Sequence, residues 1–362
     1  MLRDRLRTQF DWPTFGVTLS LCLVGMLMIA STTLQDGGDS LRRQGIWLGL
    51  GLAGMLLVIA VDYHTWAALA WVLYGAAMAG LVYVLIFGRE ISGARSWIEL
   101  GPANLQPAEL AKVATVLAMA AFLGPRTERH LGARNLLVLC LLAGTPAVLI
   151  LLQPDMGTLL PFIPLLGVLA LLGGIRVRTM VAMALVVALI LPVAWTFVLK
   201  DYQKERVLTF FDPGRDPRGA GYQVIQSKIA LGSGGMTGKG FFSGTQGQLH
   251  FLPAQHTDFI FSVLGEEGGF VATAAVLGLY FLLLWRCFVA AESSRDLLGV
   301  YLCIGIAAML ATQILFNTGV VVGLLPTAGI TLPLLSYGGS SLISTLIAIG
   351  LIINVRMRRF VN

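Results

Sequence analysis

The sequence predicts an all-α polytopic membrane protein of about ten transmembrane helices. Both termini are expected in the cytoplasm, with one large extracellular loop between helices 7 and 8. Three observations carry this. Of the 362 residues, 56% are hydrophobic and 12% charged, where a soluble domain carries about 25% charge, and mean hydropathy is +0.81. The apolar residues gather into ten runs: 14–33, 45–61, 66–87, 106–123, 135–152, 158–174, 179–199, 258–286, 297–321 and 340–356. A span takes roughly 20 such residues. The basic residues are also sided. With the N-terminus inside, thirteen arginines fall on inner segments: Arg3, Arg5, Arg7, Arg126, Arg129, Arg134, Arg176, Arg178, Arg286, Arg295, Arg356, Arg358 and Arg359. Four, Arg42, Arg43, Arg89 and Arg95, fall on short outer connections.

Taken in order, the first run is followed by more of the same and reads as a retained helix, not a cleaved signal. Asp62, Tyr63 and His64 make a tight inner turn, and Arg89 to Asn104 an outer connection. Gln153-Pro154-Asp155 is a very short outer hinge, and the loop of about 200–257 follows the seventh run. That loop is left out of the charge count, because long loops cross largely regardless of charge. Residues 1–362 are expected to form one integral membrane domain. The net charge of +6 follows topology and does not point to nucleic acid. Cys22, Cys140, Cys287 and Cys303 lack metal-ligand spacing and read as packing residues. Neither a nucleotide-binding loop nor a convincing internal repeat of the transporter kind is present.

The chemistry concentrates at the outer helix ends. Asp258 opens the eighth run behind the polar, Gly-rich segment from Gly219, with Thr257 a plausible N-cap. At helical spacing it would share a face with Ser262 and Gly265. On position alone it could equally serve the helix dipole, and His256 beside it is too little for a metal site. Glu109 and Lys112 lie three apart inside the fourth run, on one face. Charges within a span are rare and usually face a cavity or the bundle interior. Arg43, Arg95, Arg206, Lys228 and Lys239 supply outer cations. Lys239 sits in GSGGMTGKG, which reads as a flexible loop or as an anion-binding backbone. Gln153 and Asp155 mark another outer helix end, where Asp155 is a cap or a site residue. Ser336 lies in LLSYGGSS, whose glycines suit a re-entrant turn.

TDFIFSVLGEEGG, ISGARSWIELG, QPAELAK, QPDMGT, GAGYQVIQSKIALGSGGMTGKGF and LPLLSYGGSS resemble the motifs of the SEDS family (shape, elongation, division and sporulation) of bacterial cell-wall proteins. The likeness covers essentially the whole chain. The short N-terminal tail and DYQKERV are most similar to its elongation branch. The resemblance implies a peptidoglycan glycosyltransferase of the bacterial cytoplasmic membrane, polymerising lipid II on the outer face. It implies a class B penicillin-binding protein as partner, with other elongation-complex membrane proteins. The aspartate essential in the family falls on Asp258, the Glu and Lys of QPAELAK on Glu109 and Lys112, and the loop arginine on Arg95.

Such a transfer inverts an α-linked diphosphate donor to a β1→4 product. It needs one base for the incoming hydroxyl, whereas glycosidases also need an acid for a poor leaving group. A diphosphate leaves once its charge is stabilised by Arg, Lys, backbone N–H or a divalent cation such as Mg²⁺ or Mn²⁺; the sequence specifies no cofactor. The expectation is Asp258 as base and Lys112, Arg95, Lys239 or Arg206 as anion stabilisers. Glu109 would orient Lys112, and the Gly-rich stretch would form a mobile cover. A lipid II flippase and a non-catalytic scaffold for the penicillin-binding protein are the alternatives.

Overall fold

A computed structural model describes residues 9–33, 37–91, 94–100, 103–126, 130–197, 201–216, 219–245, 251–252 and 254–359. Arg3, Arg5, Arg7 and Arg129, part of the topology argument, lie outside the described residues. The chain runs through α1 (Trp12–Thr33), α2 (Asp39–Ala60), α3 (Tyr63–Ala68), α4 (Ala70–Phe87), α5 (Pro107–Leu123), α6 (Ala133–Leu152) and α7 (Met156–Leu159). It continues through α8 (Phe162–Leu172), α9 (Val177–Phe197), α10 (Asp201–Phe211), α11 (Ala220–Ser233), α12 (Ile260–Glu292), α13 (Leu297–Val321) and α14 (Gly339–Met357). All ten apolar runs are helical where described, two of them in two pieces: 66–87 holds the end of α3 and α4, and 158–174 the end of α7 and α8. Among the described residues, seven helices are by length and composition alone able to cross a membrane, and Met156–Leu172 adds a shorter apolar stretch.

Position in the bundle follows side-chain size. Helix α5 is rich in alanine and is buried throughout residues 111–120. Small residues let helix backbones approach where lipid removes the hydrophobic drive between helices. Helices α13 and α14 share this interior, and α14 packs most extensively on α2. By contrast α4 and α6 present Val72, Ile86, Leu137 and Leu141 outward, as lipid-facing helices do.

Polar groups occupy the two ends of the bundle. At the end carrying the termini, buried Asp11 pairs with Arg286 (2.5 Å) and Arg356 (3.4 Å). There His64 bridges Asp62 (2.8 Å) and Asp296 (2.7 Å). Where the sequence suggested a bare turn at residues 62–64, Asp62 caps the short helix α3 by accepting from His64 N. At the opposite end, the connection from Arg89 folds into an antiparallel meander of β1 (Arg89–Ile91), β2 (Ala94–Leu100) and β3 (Ala103–Leu105). An ion pair links Arg89 and Glu99.

The large loop is largely structured where it is described. Helices α10 and α11 flank a single 3₁₀ turn at Pro213–Arg215. The Gly-rich stretch after α11, expected as a mobile cover, is instead bonded through its main chain to α12. Helix α12 is interrupted at Gly269 (φ 66°, ψ −164°), a conformation essentially reserved for glycine. Around this break Phe270 N donates to Gly235 O (2.9 Å) and Val271 N to Met236 O (3.1 Å). In return Lys239 N donates to Glu266 O and Gly240 N to Glu267 O, both 3.0 Å. A Cβ at Gly269 would meet the backbone of Met236 and Gly238, so the two chains touch directly.

Candidate active site

Asp258 does not lie in the first turn of α12, as its sequence position suggested. It belongs to the turn before it, because the backbone is taken up elsewhere: Phe259 N and Thr257 N both donate to Ala254 O. Thr257 is therefore not the cap; Phe259 holds that position without a capping side chain. The turn is fixed from two directions. Buried Asn317, on α13, donates Nδ2 to Asp258 O (2.8 Å) and to Ile330 O (2.7 Å). Ser336 Oγ donates to Thr257 O (2.6 Å) and accepts from Leu332 N (2.8 Å). Tyr337 N donates to His256 O (2.8 Å), with the two rings edge to face at 5.5 Å. His256 and Ser336 thus anchor the loop that presents Asp258.

The Asp258 carboxylate borders a cavity of about 310 Å³ with Arg206, Glu205, Asp216, Gln223, Gly329 and Asn317 among its walls. Gly329 sits between the charged groups: a Cβ there would lie 3.8 Å from Asp258 Oδ2 and 4.0 Å from Arg206 Nη1. Burial pushes the Asp258 carboxyl up to about 6; Arg206 opposes that rise and Asp155 adds to it. An acid poised there is half ionised at about pH 6 and mostly ionised at neutrality, as a general base should be.

A second polar group lies close by. Asp155 caps α7 by accepting from Thr158 N (3.2 Å) and Thr158 Oγ1 (2.8 Å), and Gln106 Nε2 donates to it at 2.7 Å. Burial raises its carboxyl too. Helix α7 abuts the wall of the Asp258 cavity, since a Cβ on Gly157 would strike the carbonyls of Ala328 and Gly329. One turn below Gln106, Lys112 Nζ donates to Glu109 Oε1 (2.9 Å), and Ser344 Oγ to Glu109 Oε2 (3.1 Å). Both charged residues are buried, Lys112 at 2% and Glu109 at 5% exposure. An ion pair so dry persists only with all its hydrogen bonds made.

The other expected site residues are placed apart. Lys239 pairs with the fully buried Glu266 (2.6 Å) and does not border the cavity. Gln153 is buried and donates to Leu81 O (2.9 Å). Arg43, on α2, and Arg95, on β2, are exposed. Lys228 lies on α11 beside Arg206 in a smaller annex. Sequence reasoning missed Asn317, Gln106, Gln223 and Thr327. Asn317 carried a usable signal, an amide inside an apolar run; Gln106 at a helix start and Gln223 on α11 are uncharged and inconspicuous, and Thr327 lies in an irregular segment.

A helical membrane bundle with the Asp258 carboxylate and the Arg206 guanidinium facing one end cavity, beside a buried ion pair, defines a polar site at one end of a membrane bundle. Residues 12–360 match the family model described as cell cycle protein, FtsW/RodA/SpoVE, and the chain belongs to that family. It is 38% identical over 354 residues to the peptidoglycan glycosyltransferase MrdB of Escherichia coli (strain K12), covering 98% of this chain and 95% of the relative. Among solved structures it is similar to a chain from a peptidoglycan synthase complex that coordinates polymerization and crosslinking. That match has TM-score 0.84, 38% identity, and coverage of 98% and 100%. It is also similar to the rod shape determining protein RodA of Thermus thermophilus, with TM-score 0.74, 33% identity, and coverage of 98% and 99%.

Proposed function

We infer that this chain is a peptidoglycan glycosyltransferase that polymerises lipid II into β1→4 glycan strands during cell elongation. The observation that carries the reading is the half-buried Asp258 beside Arg206 in one cavity at a helix end. An amphiphilic diphosphate donor needs its charge at the membrane surface, its tail in lipid and its sugar in water. A cavity at the outer end of the bundle matches that division.

Asp258 takes the proton from the acceptor 4-hydroxyl, a contribution on the order of 10²–10⁴-fold. Arg206 and Lys228 stabilise the departing diphosphate. The Lys112–Glu109 pair, with Gln106 and Asp155 nearby, orients the acceptor side. Among the described residues no preformed group of three or more His, Cys, Asp or Glu stands ready for a metal; a divalent cation arriving with the diphosphate would need only one or two carboxylates from the chain, and Arg and Lys are the charge-stabilising groups assigned here. The setting is the bacterial cytoplasmic membrane. The partner is a class B penicillin-binding protein, a reading supported by likeness to a synthase-complex chain.

The test is polymerisation of purified lipid II in detergent. Wild-type protein yields polymer on a gel, and Asp258→Asn yields none while remaining folded. Detergent has no two sides, so a flippase would yield no polymer even as wild type. Full activity of a folded Asp258→Asn protein would sink the assignment.

A further inference from the structure

A second, much smaller cavity of about 20 Å³ adjoins the Asp258 cavity, sharing Arg206 and Thr327 with it. One water-sized group needs roughly 10–15 Å³ of such space and two to four polar partners. The annex has room for about one oxygen-sized group. Its walls include Arg206 and Thr209 of α10, Lys228 of α11, and Gly323 and Thr327 of the segment after α13. Thr209 is 3% exposed, and its Oγ1 is buried with no hydrogen-bond partner, as is that of Thr327. Buried hydroxyls left unpaired are uncommon and call for a partner.

Lys228 is brought there by a local device. Gly323 has φ 75°, and a Cβ on it would collide with Lys228 Cε and Nζ. As placed, the ammonium group occupies the space that a Cβ on Gly323 would fill. Two cations and two unpaired hydroxyls thus surround a space for one oxygen, at the edge of the cavity holding the proposed base. Neutral ligands do not call for two cations; an anionic oxygen does.

We propose that this annex is a subsite for one non-bridging oxygen of a lipid-linked diphosphate, held by Thr209, Thr327, Lys228 and Arg206. The inference rests on the glycosyltransferase reading and adds where the diphosphate docks. The phosphorus stays in the larger cavity and one oxygen enters the annex. That fixes the leaving group relative to Asp258.

The test is binding of farnesyl diphosphate to the purified full-length protein in detergent, followed by thermophoresis. Lys228→Met, Thr209→Val and Thr327→Val should each weaken binding roughly tenfold or more, as losing a hydrogen bond to a charged group does. Thr209→Ser should bind like the wild type. Farnesyl diphosphate should bind at least tenfold more tightly than inorganic diphosphate; equal affinity overturns the lipid-linked source. Thr209 Oγ1 is unpaired in the free protein, so Thr209→Val should not lower the thermal midpoint. A lowered midpoint gives the hydroxyl a structural role and overturns the proposal. Unchanged affinity in all three variants means the annex holds only water, and overturns it too. Failure of the wild type to polymerise lipid II would instead sink the glycosyltransferase reading, whatever the binding results.

Discussion

At the scale of single residues, Asp258 is defined by what surrounds it. With its carboxyl pushed up to about 6, only the deprotonated form accepts a proton. The kcat/KM for polymerisation should therefore rise with pH through about 6 and level off above it. Arg206 holds the carboxyl down and Asp155 pushes it up. Arg206→Gln should accordingly move the acid limb to higher pH, and Asp155→Asn to lower pH; shifts in the same direction would contradict the arrangement. Lys112 and Glu109 admit a different measurement. Removing either alone strands a buried charge, worth about 3–5 kcal/mol. The pair Glu109→Gln with Lys112→Met should be more stable than either single variant, by thermal midpoint in detergent, yet remain inactive. Glu109, Lys112 and Asp258 were legible in the sequence because charge in or beside an apolar run is conspicuous. Of the supporting amides and hydroxyls only Ser336 and Gln153 stand out; Asn317, Gln106 and Gln223 do not, since an uncharged polar residue at or within a helix is far less conspicuous than a charge.

Elements tell the same story with different failures. All ten runs are helical because length and apolarity decide helix, although the breaks at residues 69 and 160–161 are not decided by them. The meander at 89–105 was invisible as strands, being three short pieces where alternation has little room to declare itself. The Gly-rich stretch was misjudged for a clearer reason. Its glycines suggest flexibility or close approach to an anion, whereas they permit the backbone to lie against the backbone of α12. Gly269→Ala tests this. It adds a Cβ that meets Met236 and Gly238 at a positive φ, which should cost about 2–4 kcal/mol. The expected result is a lower thermal midpoint and faster amide exchange in 234–240. A midpoint equal to the wild type would refute the contact.

For the whole molecule, the sequence gives a sided prediction. With residues 200–257 outside, Thr237→Cys should react with a membrane-impermeant maleimide on intact spheroplasts, and Glu292→Cys only after lysis. Both positions are exposed; Cys22, Cys287 and Cys303 are buried and Cys140 is partly covered. The opposite pattern would invert the topology. The break in α12 then bears on biosynthesis. Gly269 lies nine residues into the helix, about 13 Å at 1.5 Å per residue, where unpaired backbone groups are costly in lipid. The strand of chain that mends them, 235–240, precedes the helix in the sequence. During vectorial translation the repair is therefore made and exported before the flaw that needs it.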